Sequence, residues 1–447
     1  MEMIVLFKSR PLRRLGALTG LVLLGGIVLA GCGTGSSPQA SGTAHKVVHL
    51  TFWSWVPGIQ KQVALFNQTH KNIQVTLDKV PTGAAGTYAK MFTAIKAGDP
   101  PDVGQIEFDV LPSFVQTGGL LNLAKYGATN YAKDFTPFAW GLVNFGGGVW
   151  AIPQATGPTG LLYNATLFKK YGLSVPKTWK QFASEAVSLH KSHPNVYLTN
   201  FDTDPSWLAM YVWQAGGRWF QIKNGSSWKL GFTSPASIRV ANYWQNLIDQ
   251  GAVPVEPSFD SSWYHQLSTG TLLTWPTAQW GTTIMQDEVP GGSGDWKIAP
   301  MPQWASSSNQ YGQYGGSTTA VFKATKHPRA AETFALWINT NKQAISAGVN
   351  AGFGWPAAKG GSSVRPLHVH LSYFGHQNPF AVFHQSENAT VSRWSFGPDY
   401  STVLTQMGDL FSKLGSGHGK LTLSQVLANT QKAQINALKK SGISVAP

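Results

Sequence analysis

The start of the globular part alternates strand and helix patterns, and this order constrains the fold more than any other feature. Apolar and polar residues alternate over 47–55 and 73–80, and 102–106 is a third short strand. Residues 57–69 and 88–96 have the spacing of helices. Strands joined by helices pair in parallel, so the pattern predicts an open α/β sheet with helices on both faces.

Helix signals continue through the rest of the chain. Residues 161–163 are predicted as a strand, and Thr178 with Gln181 forms a capping-box pattern at a helix start. An amphipathic helix is predicted over 237–250, and two more close the sequence at 402–414 and 422–440. The globular part is long enough for two or three domains and a large core.

The N-terminal segment has the composition of an export signal. Basic residues at positions 8, 10, 13 and 14 precede an apolar run over 16–30, which ends just before Cys32, the single cysteine. The run is shorter than the about 20 residues that a spanning helix needs. We therefore expect a cleaved signal peptide at 1–31 and a flexible Gly/Ser-rich tether at 32–45. The alternative is an ordinary secretory signal with an incidental cysteine.

The charge balance limits the classes of partner. The chain has 34 Lys and Arg against 20 Asp and Glu, and a formal net charge of +14. The lysines are scattered, which argues against nucleic-acid binding, and one cysteine excludes an intramolecular disulfide. A chain with few carboxylates loses little stability in acid, so the composition fits either an acidic habitat or lineage drift.

Short motifs follow one another in an order that resembles a known family. They are 51–55 (TFWSW), 98–103 (GDPPDV), 118–123 (GGLLNL), 150–153 (WAIP), 161–164 (LLYN), 176–179 (PKTW), 298–302 (IAPMP) and 314–317 (YGGS). Together they resemble the family 1 extracellular solute-binding proteins of ABC importers, which include maltose- and multiple-sugar-binding proteins. The four residues ending at Cys32 resemble a bacterial lipobox.

The resemblance implies a fold and a location. The expected fold is α/β and periplasmic-binding-protein-like of type II, with two lobes, several hinge crossings and a ligand cleft between the lobes. Lobe 1 would comprise 46–155 plus 305–355, and lobe 2 would comprise 156–304 plus 356–447. The crossings are placed near 154–157, 303–307 and 355–358. Lipid on Cys32 would hold a monomeric receptor on the outer face of the cell membrane, beside the transmembrane subunits of the importer.

Four candidate ligand residues come from a rule that is independent of the family. Ligands of open α/β sheets lie beyond the carboxyl ends of the strands. Trp53 and Trp55 follow the first strand, and Glu107 and Asp109 follow the third. An aromatic ring packs on the C–H face of a sugar, and carboxylates bind its hydroxyls. The alternatives are core packing for the tryptophans and helix capping for the acids.

The resemblance adds five more candidates. Trp280 matches a region that contributes a cleft aromatic, and Trp355 lies at a predicted crossing. Gly315 and Gly316 would let backbone amides approach a ligand, or would form a tight turn. Arg393 resembles a C-terminal arginine of some disaccharide-binding members, although a surface role explains it equally well.

Two departures from the family leave the particular sugar open. Several relatives carry an acidic residue just before the Gly-Leu-Leu-Tyr run, where this chain has Gly-Pro-Thr at 157–159. Relatives often have an aromatic residue after the Gly-Gly pair, where this chain has Ser317.

The resemblance implies capture of a carbohydrate by hinge closure, and the alternatives are a binding protein for a non-sugar solute, a lipid-anchored hydrolase and metal capture. A lipid-anchored hydrolase would need two carboxyl groups across a scissile bond, and Glu107 with Asp109 is the candidate pair. These two are near neighbours on one loop, and no nucleophile elbow, phosphate-binding loop or zinc-helix motif is present. Metal capture would use four histidines, of which the first two are predicted to share one face of a strand: His368, His370, His376 and His384. The sequence therefore favours a binding protein with no catalytic residue, resident metal or cofactor.

Overall fold

The computed structural model describes residues 46–223, 227–368, 370–414 and 421–447, so the predicted signal peptide, Cys32 and the tether lie outside it. The strands are β1 Val48–Ser54, β2 Ile73–Lys79, β3 Val103–Glu107, β4 Asn144–Phe145, β5 Gly148–Val149, β6 Ile152–Asn164, β7 Phe201–Asp202, β8 Phe220–Lys223, β9 Ser227–Leu230, β10 Val255–Glu256, β11 Thr274–Ala278, β12 Trp296–Ala299, β13 Gln313–Val321 and β14 Trp355–Pro356. The α-helices are α1 Ile59–Thr69, α2 Tyr88–Ala97, α3 Leu111–Gln116, α4 Pro137–Val143, α5 Ala165–Lys170, α6 Trp179–Ser192, α7 Pro205–Gln214, α8 Pro235–Asp249, α9 Ser261–Thr269, α10 Gly281–Glu288, α11 Pro328–Thr340, α12 Lys342–Val349, α13 Phe380–Asn388, α14 Tyr400–Leu414 and α15 Leu423–Lys440.

The main sheet has the strand order β11-β6-β13-β3-β1-β2, and β12 and β14 also pair with β6. Strand β1 runs parallel to both β2 and β3, which confirms the expected strand-helix alternation at the start. Strand β13 runs antiparallel to β3 and β6, so the complete sheet is mixed. The local pattern gave no sign of this, because β13 reaches β3 through a long connection.

Strand β6 changes its partners along its length. Its first half pairs with β13 and β14, and its second half pairs with β11 and β12. The predicted short strand at 161–163 is the end of this longer element. In its middle, a Cβ added to Gly157 would lie 1.9 Å from the Tyr314 carbonyl oxygen, so only glycine fits there. The segment 154–157, where a crossing was predicted, lies in the half that pairs with β13 and β14.

Side chains cap the predicted helices. The Thr178 hydroxyl accepts from the Gln181 amide at 3.1 Å, whereas the Gln181 side chain accepts from the Lys177 amide at 3.0 Å. The return bond of this capping box is therefore shifted by one residue. At the start of α15, Thr422 and Gln425 form both bonds of a complete capping box.

Four of the largest buried side chains pack together at α7: Trp179, Trp207, Tyr211 and Trp244. Trp207 lies 4.6 Å from Tyr211 and 4.7 Å from Trp244, and Trp179 lies 5.0 Å from Tyr211, all between ring centroids. These rings fix α7 between α6 and α8. Every described helix is too short or too polar to cross a lipid bilayer.

The histidine segment does not form the predicted strand. Arg365–His368 is a 3-10 turn, and His370 lies outside any strand. Proline fixes φ at about −65°, which suits the 3-10 turn in which Pro366 lies. Within the described part of the chain, no group of three or more His, Cys, Asp or Glu side chains is placed to hold a metal ion.

Candidate functional site

A cavity of about 560 Å³ lies where the end of β3, the start of α7, the start of β13 and the beginning of α14 meet. Aromatic rings and carboxyl groups line it together. Five of the nine predicted ligand residues are among the lining residues: Glu107, Asp109, Trp280, Gly315 and Gly316. The arrangement suits a ligand with both apolar faces and polar edges.

Glu107 and Asp109 lie at and just beyond the carboxyl end of β3. The Tyr88 hydroxyl donates to Glu107 Oε2 at 2.7 Å and accepts from the Glu107 amide at 3.1 Å, which fixes this carboxyl group. Asp109 Oδ1 is buried without a hydrogen-bond partner among the described residues. Helix α3 has Val110 at its N-cap and no capping side chain, so Asp109 does not cap it.

Asp204 is a third carboxyl group in the cavity, and the sequence reasoning missed it. It is the N-cap of α7, where Oδ1 accepts from the Ser206 amide at 2.9 Å. Its Oδ2 accepts from the Tyr314 hydroxyl at 3.0 Å. The available signal was Asp followed by Pro205, which marks a helix start but does not reveal what the cap faces.

The three carboxyl groups affect one another. Burial raises the pKa of Asp109 to about 8, and the charges of Glu107 and Asp204 add to the shift. Burial also raises the pKa of Glu107, although the hydrogen bond from Tyr88 opposes this. Burial and the charge of Asp204 raise the pKa of the neighbouring Asp202 to about 7. Asp109 therefore keeps its proton at pH 7, while the charges of Glu107 and Asp204 act on it.

Four of the aromatic lining residues come from α7 and the approach to α14. Trp213 stacks on Trp394 with ring centroids 5.2 Å apart and planes 9° apart. Phe396 lies 6.3 Å from Trp213 and 4.9 Å from Tyr400. Trp213 shares the lining face of α7 with Ser206, because residues one to two turns apart lie on the same side of a helix.

Trp280 is held beside the glycine pair. Its indole N–H donates to the Tyr314 carbonyl at 2.9 Å, and the two rings lie 5.2 Å apart. Gly315 and Gly316 have φ values of 77° and 108°, within an irregular stretch of β13. Only glycine adopts such values readily, and the pair lies at an irregularity within strand β13.

Phe259 adds a strained aromatic residue to the lining. Its φ of 70° lies in the left-handed region, which is unusual for a bulky side chain. It is 40% exposed, and its ring lies 6.0 Å from that of Trp280. Strain of this kind concentrates at functional sites.

The other four predicted residues do not line the cavity. Trp53 donates from its indole to Asp78 Oδ2 at 3.0 Å, and the Trp55 ring lies against Tyr88 at 5.7 Å. Trp355 is 2% exposed and stacks on the ring of Phe380 at 5.6 Å, as a packing residue does. Arg393 is exposed next to Trp394, and its charge lowers the pKa of Arg218 in addition to the effect of burial.

The model of the bacterial extracellular solute-binding protein family matches residues 53–345. The chain belongs to this family. Among solute-binding relatives, the arabinooligosaccharide-binding protein of Bacillus subtilis (strain 168) is 23% identical over 328 residues, 70% of this chain and 73% of that protein. The lactose-binding protein of Rhizobium radiobacter is 23% identical over 299 residues, 63% of this chain and 68% of that protein.

Solved structures of solute-binding proteins share the fold. The galacto-N-biose/lacto-N-biose I-binding protein of Bifidobacterium longum, in complex with lacto-N-biose, is 28% identical with a TM-score of 0.77, covering 90% of this chain and 99% of that one. An ABC-transporter-associated binding protein of B. animalis subsp. lactis Bl-04, in complex with β-1,6-galactobiose, is 25% identical with a TM-score of 0.76, covering 90% and 100%. The expected type II periplasmic-binding-protein-like fold is thereby confirmed.

Proposed function

We propose that this solute-binding protein is the sugar receptor of a bacterial ABC importer. It captures a di- or oligosaccharide in the cavity and delivers it to the transmembrane subunits. The observation that carries the proposal is the joining of stacked aromatic rings and hydrogen-bonding carboxyl groups in one cavity. A sugar ring presents C–H faces to the first and hydroxyls to the second. The relatives named for arabinooligosaccharide and lactose support the same ligand class.

Binding is proposed to close two lobes over the sugar. In the lobe boundaries expected from the sequence, Glu107 and Asp109 belong to lobe 1, and Asp204, Trp280 and Trp394 belong to lobe 2. The change of partners within β6 supports a hinge there. A ligand that contacts both lobes favours the closed state by its differential affinity for that state.

The remaining parts of the proposal concern location and assembly. Cleavage before Cys32 would leave that residue lipid-modified, as the lipobox resemblance implies. Two or more acyl chains suffice for stable anchoring. The receptor would then act as a monomer at the outer face of the cell membrane. Globomycin treatment of the producing cells should cause accumulation of the unprocessed form, and secretion of a Cys32→Ser variant into the medium would support the anchor.

A thermal-shift screen of mono-, di- and oligosaccharides tests the sugar proposal. A ligand at a hundredfold excess over its dissociation constant stabilises the folded state by about 2.7 kcal/mol. We expect at least one neutral di- or oligosaccharide to raise the melting temperature by several degrees. Silence across the whole panel would argue decisively against a sugar receptor.

Binding without turnover is the second half of the proposal. The hydrolase alternative retains one supporting observation, because carboxyl groups with raised pKa values line the cavity. Overnight incubation of the protein with each hit, followed by chromatography of the sugars, separates the two functions. We expect the sugar to be recovered intact at one equivalent per chain, and products in excess of the protein would establish an enzyme.

A further inference from the structure

The cavity collects carboxyl groups from chain segments that are distant in sequence. Glu107 and Asp109 come from the end of β3, and Asp204 comes from the start of α7. The three are close enough that the charges of Glu107 and Asp204 both raise the pKa of Asp109. A cluster of acids by itself would mean little, but this one lines a cavity of about 560 Å³.

No positive group offsets these acids inside the cavity. Among the described lining residues, none is Lys, Arg or His. This is notable in a chain with a formal net charge of +14, whose surface carries many cations. Arg393 adjoins the lining residue Trp394 but is exposed and is not itself part of the lining.

The remaining lining groups also favour positive over negative ligands. The faces of aromatic rings carry partial negative charge and attract cations, and Trp213, Trp280 and Trp394 all line the cavity. The Tyr314 hydroxyl, a potential donor to an anion, already donates to Asp204. Four buried polar atoms of the lining residues have no hydrogen-bond partner within the described chain: Asp109 Oδ1, Gln313 Oε1, Trp394 Nε1 and the hydroxyl of Tyr400, which is 0% exposed.

We propose that this acidic lining selects sugars by their charge: it admits neutral and amino sugars and rejects sugars that carry a carboxylate or a phosphate. The inference rests on the proposed sugar-binding function and names the substrate class within it. An anionic sugar would lose its water and meet like charges, and both effects weaken its binding. An ammonium group would instead meet carboxylates and ring faces.

The test uses four forms of one disaccharide, so that charge is separated from shape. They are the neutral disaccharide with the largest thermal shift, its C6 uronate, its C6 uronamide and its 2-amino-2-deoxy form. Uronate and uronamide have nearly the same size and differ by one charge. By titration calorimetry at pH 7, we expect the uronate to bind about a hundredfold more weakly than the uronamide. The amino form should bind at least as tightly as the parent.

Variants assign the effect to the cavity. Asp204→Asn removes one charge and keeps an oxygen for the Ser206 amide, so the ratio of uronamide to uronate affinity should fall about tenfold. Glu107→Gln removes the other charge that acts on Asp109, so it should lower the same ratio, and it serves if the first variant fails to fold. Asp249→Asn on the exposed face of α8 removes an equal charge elsewhere and should leave the ratio unchanged.

The outcomes separate this inference from the proposed function. Equal affinity for uronate and uronamide, or an unchanged ratio in both cavity variants, would overturn charge selection while the sugar receptor stands. If no neutral disaccharide binds in the screen, the proposed function fails and the charge rule fails with it.

Discussion

Two parts of the cavity lining differ in how the chain supplies them. The part at the end of β3 comes from one short stretch, in which Glu107 and Asp109 are two residues apart. The other part of the lining includes Asp204, Trp280 and Trp394, which come from three separate regions of the chain. The first part follows from a rule about strand ends, whereas the second exists only after the chain has folded.

The largest expected effect comes from removing a stacking ring. Trp280→Ala should weaken binding of the best sugar about thirtyfold or more, because a buried aromatic anchor carries much of the binding energy at a site of this kind. Trp53→Ala is the matched control, since both indoles are half-buried and each donates one hydrogen bond. The sugar affinity of the Trp53→Ala variant should stay within about threefold of that of the parent chain. Loss of a hydrogen bond from a binding site usually lowers the affinity by more than this. Titration calorimetry measures the sugar affinity of both variants. Equal losses of affinity would mean that tryptophans inside and outside the cavity lining do not differ in their contribution to binding.

A smaller effect is expected when a carboxyl group loses its support. Tyr88→Phe deletes the hydroxyl that donates to Glu107 Oε2 and accepts from the Glu107 amide. Affinity should fall about threefold to tenfold, the usual cost of one hydrogen bond. Tyr163→Phe removes a half-buried hydroxyl outside the cavity lining and is the control. An unchanged affinity for Tyr88→Phe would mean that Glu107 needs no positioning by this residue.

Phe259 offers a case in which binding and stability should move in opposite directions. Glycine adopts the φ of 70° freely, so Phe259→Gly should raise the free energy of unfolding by up to about 1 kcal/mol. Loss of the ring beside Trp280 should weaken sugar binding about fivefold. Urea unfolding and calorimetry on the same preparation measure both. Unaltered binding would assign Phe259 to packing at the rim.

Glu387 is a buried carboxyl group next to the cavity, and it should make the stability of the fold depend on pH. Burial raises the pKa of Glu387 to about 8, although Thr156 and Gln313 donate hydrogen bonds to it. Like Asp109, it binds a proton in the folded state at a pH where the unfolded chain does not. Stability should therefore fall as pH rises from about 4 to 8, and the chain should melt higher at pH 5 than at pH 8.

Glu387→Gln isolates one contribution to that profile. The amide cannot ionise, so the variant should be about 1 kcal/mol more stable than the parent chain at pH 8 and nearly equal to it at pH 5. Glu332→Gln is an independent second case, since burial raises the pKa of Glu332 to about 7, opposed by Arg329. Melting curves that rise with pH in the parent chain would contradict this account and the acid-habitat interpretation of the composition.

Local sequence signals explain which parts of the fold were predictable. The first three strands, the helices between them and the cap of α15 depend on residues within a few positions of one another, and the structure contains all of them. The antiparallel insertion of β13 and the full length of β6 were not predictable, because strand pairing over long separations leaves no periodic trace. The strand predicted through His368 and His370 was wrong, because His368 ends a 3-10 turn and His370 lies outside any strand.

The candidate site divides in the same way. The sequence by itself determined that Glu107 and Asp109 follow a buried strand, that glycines interrupt the YGGS segment, and which family motifs the chain carries. Only the tertiary structure decided that Asp204 joins these acids and that Trp213 stacks on Trp394. It also separated Trp280, which lines the cavity, from Trp53 and Trp355, which lie outside it. The physical reason is that residue type fixes what a side chain can do, whereas long-range packing fixes what it faces.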